Sequence, residues 1–392
     1  MDLTIIPSKL SGEITVIPSK SQAHRLLICA AFADKSTELF CPQTSRDMDA
    51  TANCLRDLGA DITHDGQSYH VCPIQTLPKT ADLHCCDSGS TLRFLLPIVG
   101  ALGVDATFHM TGRLPYRPLS PLWEEMERMG CTLTRPTETT LRCIGKLQAG
   151  TYCIDGSVSS QFITGLLFAL SLLEENSELK ITGSLESKPY VDMTLCALNN
   201  FGVDPKILGG QQFCSPGKLT VEGDWSNGAF FLTAAALGSG LTVCGLEQNS
   251  PQGDRACQPL LEQLKKQSVT IDARDIPDLV PILAVAAGAL HGAVFQNIRR
   301  LRLKESDRVA TILQLLANLG GKAEATEDTL TIYPTGYRGG IVDSAGDHRI
   351  AMAASIAATV CNQPVTILGA EAVNKSYPQY WEEYRRLGGN YE

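Results

Sequence analysis

Six stretches of the chain share one plan, a short polar opening followed by about three helical turns of almost wholly apolar sequence. They run from Ser21 to Ala33, Ser90 to Leu102, Ser160 to Leu173, Ser226 to Leu237, Asp278 to Leu290 and His348 to Val360. A helix that is apolar on all sides is buried on all sides, so six such helices place helices at the centre and sheets outside. Amphipathic stretches alternate with them and end at Leu58-Gly59, Met129-Gly130, Phe201-Gly202, Leu319-Gly320 and Leu387-Gly388. Glycine just past a helix is the expected cap, because it takes the left-handed conformation without strain. Strand-like residues follow each of these glycines except the last. The fourth unit lacks the signal and breaks at Lys266-Gln267. The spacing, roughly 70 residues with shorter fourth and fifth units, leaves room for two helices and several strands per unit.

Six units divide into two domains of three, and 392 residues is too long for one ordinary core. One crossing is expected at Gly223-Asp224, between the strand Lys218 to Glu222 and the fourth apolar helix. If the first strand belongs with the C-terminal half, a second crossing lies near Ser19. The expected lobes are therefore 19–223, and 1–18 with 224–392. Two connecting strands would form a hinge beside a ligand cleft.

Composition narrows the function. A net charge of -9 argues against a nucleic-acid or membrane-surface binder. None of the fourteen cysteines falls in a C-x-x-C pair, so free thiols in a reducing cytoplasm are expected and no metal site is. Met1-Asp2-Leu3-Thr4-Ile5-Ile6 already reads as a strand rather than a leader. The longest apolar runs are shorter than the roughly 20 residues that span a bilayer. Phosphate-loop, dinucleotide, nucleophile-elbow and zinc-helix motifs are absent, and nothing in the chain asks for a cofactor.

The candidate chemistry lies in the polar openings. These are Ser19-Lys20-Ser21-Gln22-Ala23-His24-Arg25, Asp87-Ser88-Gly89-Ser90-Thr91-Leu92-Arg93, Asp155-Gly156-Ser157-Val158-Ser159-Ser160-Gln161, Gly223-Asp224-Trp225-Ser226-Asn227, Asp275-Ile276-Pro277-Asp278 and Gly346-Asp347-His348-Arg349. Free N–H groups and the helix dipole favour anions at such starts. Ser, Asp and Gly are also ordinary caps. Capping does not require Lys20, Arg25, Arg93 or Arg349, nor Arg113, Arg117, Lys188, Lys304, Arg308 and Lys375 before the amphipathic helices. Recurring cations in an acidic chain point to a cleft for two anionic ligands.

Five runs in this order and spacing resemble those of 5-enolpyruvylshikimate-3-phosphate synthases: Pro18-Ser19-Lys20-Ser21, Asp155 to Phe162, Ser187-Lys188-Pro189-Tyr190, Lys304-Glu305-Ser306-Asp307-Arg308 and Asp347-His348-Arg349. The resemblance extends from about Ile14 to Tyr380. It implies a two-domain, inside-out α/β barrel with three βαβαββ repeats per domain, parallel buried helices, and an active site between the lobes. It also implies transfer of the enolpyruvyl group of phosphoenolpyruvate to the 5-hydroxyl of shikimate 3-phosphate, through a tetrahedral intermediate, by a cytoplasmic monomer. By the same resemblance Ser21, Arg25, Ser159, Ser160, Ser187 and Lys304 hold shikimate 3-phosphate, with Lys20 and Arg300 on the same side, and Gln161 lies between the substrates. Lys20, Gly89, Arg93, Arg117, Arg308, Arg349 and Lys375 surround phosphoenolpyruvate. Asp278 contacts the ring hydroxyls, and Glu305 with Lys20 handles the proton at C3.

Some positions depart from the commoner pattern: the second opening usually reads Asn-Ala-Gly-Thr-Ala-x-Arg-Pro but here runs from Asp87 to Phe94, with Asp87 for Asn, and Arg300 and His24 each stand where Asn is frequent. Two other readings use the same fold. One is the sister enolpyruvyl transferase acting on UDP-N-acetylglucosamine, whose reactive cysteine is absent from Met110 to Arg117. The other is a non-catalytic binder of phosphorylated metabolites, for which Asp278 and Glu305 would serve no purpose.

Overall fold

The computed structural model describes residues 1–206 and 208–392, in a chain that forms two compact units: Lys20–Val221, and Met1–Ser19 with Glu222–Glu392. In the first unit the apolar stretches become α1 (Lys20–Ala31), α3 (Gly89–Leu102) and α5 (Ser160–Ser171). They alternate with α2 (Arg46–Asp57), α4 (Leu122–Arg128) and α6 (Lys188–Asn200). The second unit repeats the plan with α7 (Trp225–Ala236), α9 (Val280–Ala289) and α11 (His348–Ala358) between α8 (Cys257–Leu264), α10 (Arg308–Asn318) and α12 (Tyr380–Arg386). Nothing polar interrupts α9, and its residues from Val280 to Gly288 are all buried. Gly59, Gly130, Gly202, Gly320 and Gly388 all follow their helices with positive φ, as a left-handed stop requires. No helix among the described residues is long and apolar enough to cross a membrane.

The sheets form the outer layer. Thr80–Cys86 alternates exposed and buried residues along its length, the pattern of a sheet with one wet face. It runs parallel to Asp105–Met110, which pairs antiparallel with Thr140–Gly145 and through it with Cys131–Thr134. The second unit builds the same sheet from Val269–Asp272, Ala293–Gln296, Thr329–Tyr333 and Lys322–Ala325. These two repeats are complete βαβαββ units, and the fold is the expected two-domain α/β arrangement with buried helices.

The other repeats depart from the plan in instructive ways. Ser11–Thr15 precedes α1 in the chain but pairs with Gly240–Cys244, the strand after α7. Lys218–Thr220 precedes α7 but pairs with Thr37–Phe40, the strand after α1. Each connecting strand thus leads the sheet of one unit and the helix of the other. The final sheet recruits Leu3–Ile6 between Val365–Leu368 and Asn390–Tyr391. Contrary to the expectation from sequence, a strand therefore follows Gly388. Between Gly202 and Lys218 the described residues show isolated bridges, from Leu208 to Ser177 and from Phe213 to Ala33, in place of a strand.

One contact shows how closely the buried helices approach. Pro97 lies inside α3 and has no N–H to offer the carbonyl of Arg93, one turn earlier. Gly165 of α5 is packed onto that carbonyl, and a Cβ there would meet the Arg93 oxygen at 2.2 Å. Gly165→Ala is expected to part the helices at a cost of about 1–3 kcal/mol, read as a lower urea midpoint. An unchanged midpoint would show that the contact is slack.

Candidate active site

The residues singled out from sequence fall into two sets, one in each unit. In the first unit, Lys20 opens α1 and its ammonium meets Asp47 Oδ2 at 2.9 Å, with Asp47 buried in the first turn of α2. Arg25, one turn after Ser21, is buried, and burial pushes its guanidinium down to about 10. It donates to the Thr194 hydroxyl (2.9 Å), to the Tyr190 carbonyl (2.8 Å) and to the Ser21 carbonyl. Most of its fork therefore ties α1 to α6.

The second opening meets the third through a chain of polar contacts. Arg93 Nη1 donates to Gln161 Oε1 at 3.1 Å, and Gln161 Nε2 donates to Ser90 Oγ at 3.0 Å. Arg93 Nη2 donates to the Pro118 carbonyl, beside Arg117. A Cβ at Gly89 would lie 2.7 Å from a guanidinium nitrogen of both Arg93 and Arg117, so only glycine leaves both forks in place. Ser159 caps α5 by accepting from the Gln161 amide, and Ser160 opens the helix. Ser187 precedes α6 in a left-handed conformation, φ 55°, which is rare for serine. Lys188 is exposed and pairs with Asp192.

Behind these openings, Thr51 links His24 Nδ1 (2.7 Å) to Thr91 Oγ1 (2.7 Å), which donates to Ser88 Oγ (2.8 Å). All four side chains are buried, and Ser88 caps α3. His24, which stands for Asn in the commoner pattern, thus belongs to a relay holding the Gly89 turn.

In the second unit the cations gather on carboxylates. Arg308 is the hub: Nη1 reaches Asp278 Oδ1 (2.7 Å), Nη2 reaches Glu305 Oε2 (2.7 Å), and Nε reaches Asp347 Oδ2 (2.9 Å). Arg349 Nη2 donates to the second Asp278 oxygen at 2.8 Å, and Lys304 Nζ lies 3.8 Å from the first. Asp347 caps α11 through the Arg349 amide and also accepts from the Ser306 hydroxyl. Leu279, not Asp278, occupies the cap position of α9, which frees the Asp278 carboxylate for the arginines. Arg300 lies in the 3-10 turn Arg299–Leu303, and Lys375 ends the turn Ala370–Lys375, where it is buried.

Electrostatics follow from this packing. Burial works against ionised Asp278, but Arg349, Lys304 and Arg308 outweigh it and hold the carboxyl well below its usual range. Arg308 is held firmly charged, because Asp347, Glu305 and Asp278 overcome its burial. Lys304 is pushed down to about 8 by burial, with Arg300 and Arg308 adding to the shift against the pull of Asp278.

Asp47, Ser90, Ser306 and Asp347 have site contacts that the sequence reading did not assign. An acidic residue in a first turn or at a cap, as Asp47 and Asp347 are, matches ordinary helix-dipole compensation, so sequence offered no separate signal.

A fold of buried helices whose starts carry arginines, lysines and paired carboxylates suits anion transfer chemistry. The chain matches the family model described as EPSP synthase (3-phosphoshikimate 1-carboxyvinyltransferase) over residues 5–384. It is 40% identical to a 3-phosphoshikimate 1-carboxyvinyltransferase of Clostridium kluyveri, over 99% of this chain and 97% of the relative. A protein of the same name from Clostridium novyi is 38% identical over 99% and 98%. In fold it is similar to an EPSP synthase from Acinetobacter baumannii, with a TM-score of 0.81 and 23% identity over 100% and 99% of the two chains. The enolpyruvyl transferase NikO from Streptomyces tendae gives 0.75 at 18% identity over 100% and 98%. The chain belongs to the EPSP synthase family. It is an enolpyruvyl-transferring enzyme of the shikimate pathway.

Proposed function

We propose that this enzyme joins phosphoenolpyruvate to the 5-hydroxyl of shikimate 3-phosphate and releases phosphate, with the residues acting as follows. The observation that carries the assignment is Asp278, a carboxylate held ionised between Arg308 and Arg349. Phosphoenolpyruvate is bound by Lys20, Gly89, Arg93, Arg117, Arg308, Arg349 and Lys375, whose planar forks suit phosphate and carboxylate. Ser21, Arg25, Ser159, Ser160, Ser187, Arg300 and Lys304 take shikimate 3-phosphate, and Gln161 touches both.

Arg308 and Arg349 are engaged by Asp278. An incoming anion shares their charge, which raises the proton affinity of Asp278 as substrate binds. Asp278 then accepts the proton of the attacking hydroxyl while its oxygen bonds to C2 of phosphoenolpyruvate. Glu305 and Lys20 serve C3, which takes a proton to become a methyl group. In the second half the C2–O bond to phosphate breaks as C3 returns one proton. Pre-placed cations lower the barrier to both steps. The enzyme is read as a cytoplasmic monomer.

Because the intermediate carries a freely rotating methyl group, any of its three hydrogens can leave. Turnover in D2O should therefore place deuterium on the vinyl carbon of the product, detected by proton NMR. Phosphate release with an unlabelled vinyl group would contradict the addition–elimination reading.

Lys304 gives a pH signature. It is charged below about 8 and loses its proton above that, so affinity for the phosphorylated acceptor should fall as pH rises through 8. In Lys304→Arg the fall should move to higher pH, because guanidinium stays charged. Calorimetric titrations of both proteins across pH 7–10 test this, and parallel curves would remove Lys304 from the site.

A further inference from the structure

The hydrogen bonds that join His24, Thr51, Thr91 and Ser88 can run in one direction only. His24 lies on α1, Thr51 on α2, Thr91 on α3, and Ser88 immediately before α3; all four are fully buried. Thr91 gives its one hydroxyl hydrogen to Ser88 Oγ at 2.8 Å. At its 2.7 Å contact with Thr51 it can therefore only accept, so Thr51 is the donor there. That uses the hydroxyl hydrogen of Thr51. At the 2.7 Å contact between Thr51 and His24 the donor is then the imidazole Nδ1, which fixes a proton on that nitrogen. Phe94 stands edge-on to the His24 ring, with centroids 6.3 Å apart and an interplanar angle of 89°, and helps to hold its orientation.

The chain of donors ends on a turn that the reaction uses. Ser88 caps α3 by accepting from the Thr91 amide as well as from its hydroxyl. The next residue is Gly89, against which the forks of Arg93 and Arg117 lie. At the other end His24 stands one turn beyond Lys20 on α1, and Thr51 stands one turn beyond Asp47, the partner of Lys20, on α2. One line of hydrogen bonds thus sets the starts of three helices relative to one another. His24, Ser88, Thr91 and Phe94 are also positions where the commoner pattern has Asn, Ala, Ala and Pro, so these departures form one connected set.

We propose that His24 is a positioning residue for phosphoenolpyruvate: without touching substrate, its Nδ1–H orients the hydroxyls of Thr51 and Thr91 and so holds Ser88 and the Gly89 turn against Arg93 and Arg117. This rests on the reading of Gly89, Arg93 and Arg117 as phosphoenolpyruvate residues. A side chain that donates from the Nδ1 position keeps the line of donors intact. One that cannot donate there leaves both threonine hydroxyls free to turn, and the Gly89 turn loses a support.

The tautomer is read in the wild type by long-range proton–nitrogen NMR of the imidazoles, with the His24 signals identified by their loss in His24→Asn. A proton on Nδ1 is expected, and a proton on Nε2 alone would overturn the proposal. Steady-state kinetics reads the consequence in His24→Asn and His24→Gln. The asparagine amide nitrogen falls where Nδ1 stood and can donate to Thr51, whereas that of glutamine falls where Nε2 stood. His24→Gln should raise KM for phosphoenolpyruvate about three- to tenfold, the effect of losing one buried hydrogen bond. Its kcat and its KM for shikimate 3-phosphate should not change, and His24→Asn should restore KM for phosphoenolpyruvate. If His24→Gln does not fold, as judged by near-ultraviolet circular dichroism, Thr91→Val and Thr91→Ser replace the glutamine and asparagine variants, since only serine keeps the hydroxyl. Equal KM values for phosphoenolpyruvate within the pair, whatever the loss of stability, overturn the role of His24 and leave the substrate reading standing. A rise confined to KM for shikimate 3-phosphate overturns both, because the Gly89 turn would then serve the other substrate.

Discussion

Asp278→Ala is expected to lower kcat for phosphate release by at least about 10²–10⁴-fold, the range for loss of a positioned general base. The carboxylate is the shared partner of Arg308, Arg349 and Lys304, so its loss removes the proton acceptor and one negative charge beside all three cations. Arg308 keeps Glu305 and Asp347, which should leave the fold intact. The freed charge should bind phosphoenolpyruvate at least as tightly as before, so the defect belongs in kcat rather than KM. Steady-state kinetics separates the two. A variant with wild-type kcat would show that the hydroxyl proton leaves by another route.

Asp347→Ala should instead act on stability. The Asp347 side chain is fully buried, accepts from Arg308 Nε and Ser306, and caps α11. Its removal leaves part of a buried guanidinium uncompensated, for which about 3–5 kcal/mol is typical. Losing the cap adds roughly 1 kcal/mol. Urea unfolding followed by tryptophan fluorescence reads this well, since Trp225 and Trp381 lie in the same unit as Asp347. A midpoint equal to that of the wild type would mean that Arg308 finds a new partner at no cost.

The buried helices were legible because an all-apolar helix such as α9 has one physical solution, which is to be surrounded. Their glycine stops were legible for the same local reason. The exchange of Ser11–Thr15 and Lys218–Thr220 between the two sheets was not, since their strand partners could not be read from sequence. A short strand carries no mark of the sheet it will join, because pairing is decided by the tertiary fold.

The site divides along the same line. Asp278 could be read from sequence either as a cap or as a functional carboxylate. The structure gives the cap position to Leu279 and turns the Asp278 carboxylate to two arginines. Asp47 stayed hidden because its contact with Lys20 spans 27 residues of chain, which no local pattern announces. The cations were easier to find, because each recurs beside a helix start in an acidic chain.

The most direct test of the account is phosphate release from phosphoenolpyruvate, measured with and without shikimate 3-phosphate. The account predicts release only when both are present, one phosphate for each acceptor consumed. Equal release without the acceptor, or none from folded protein supplied with both, would contradict it.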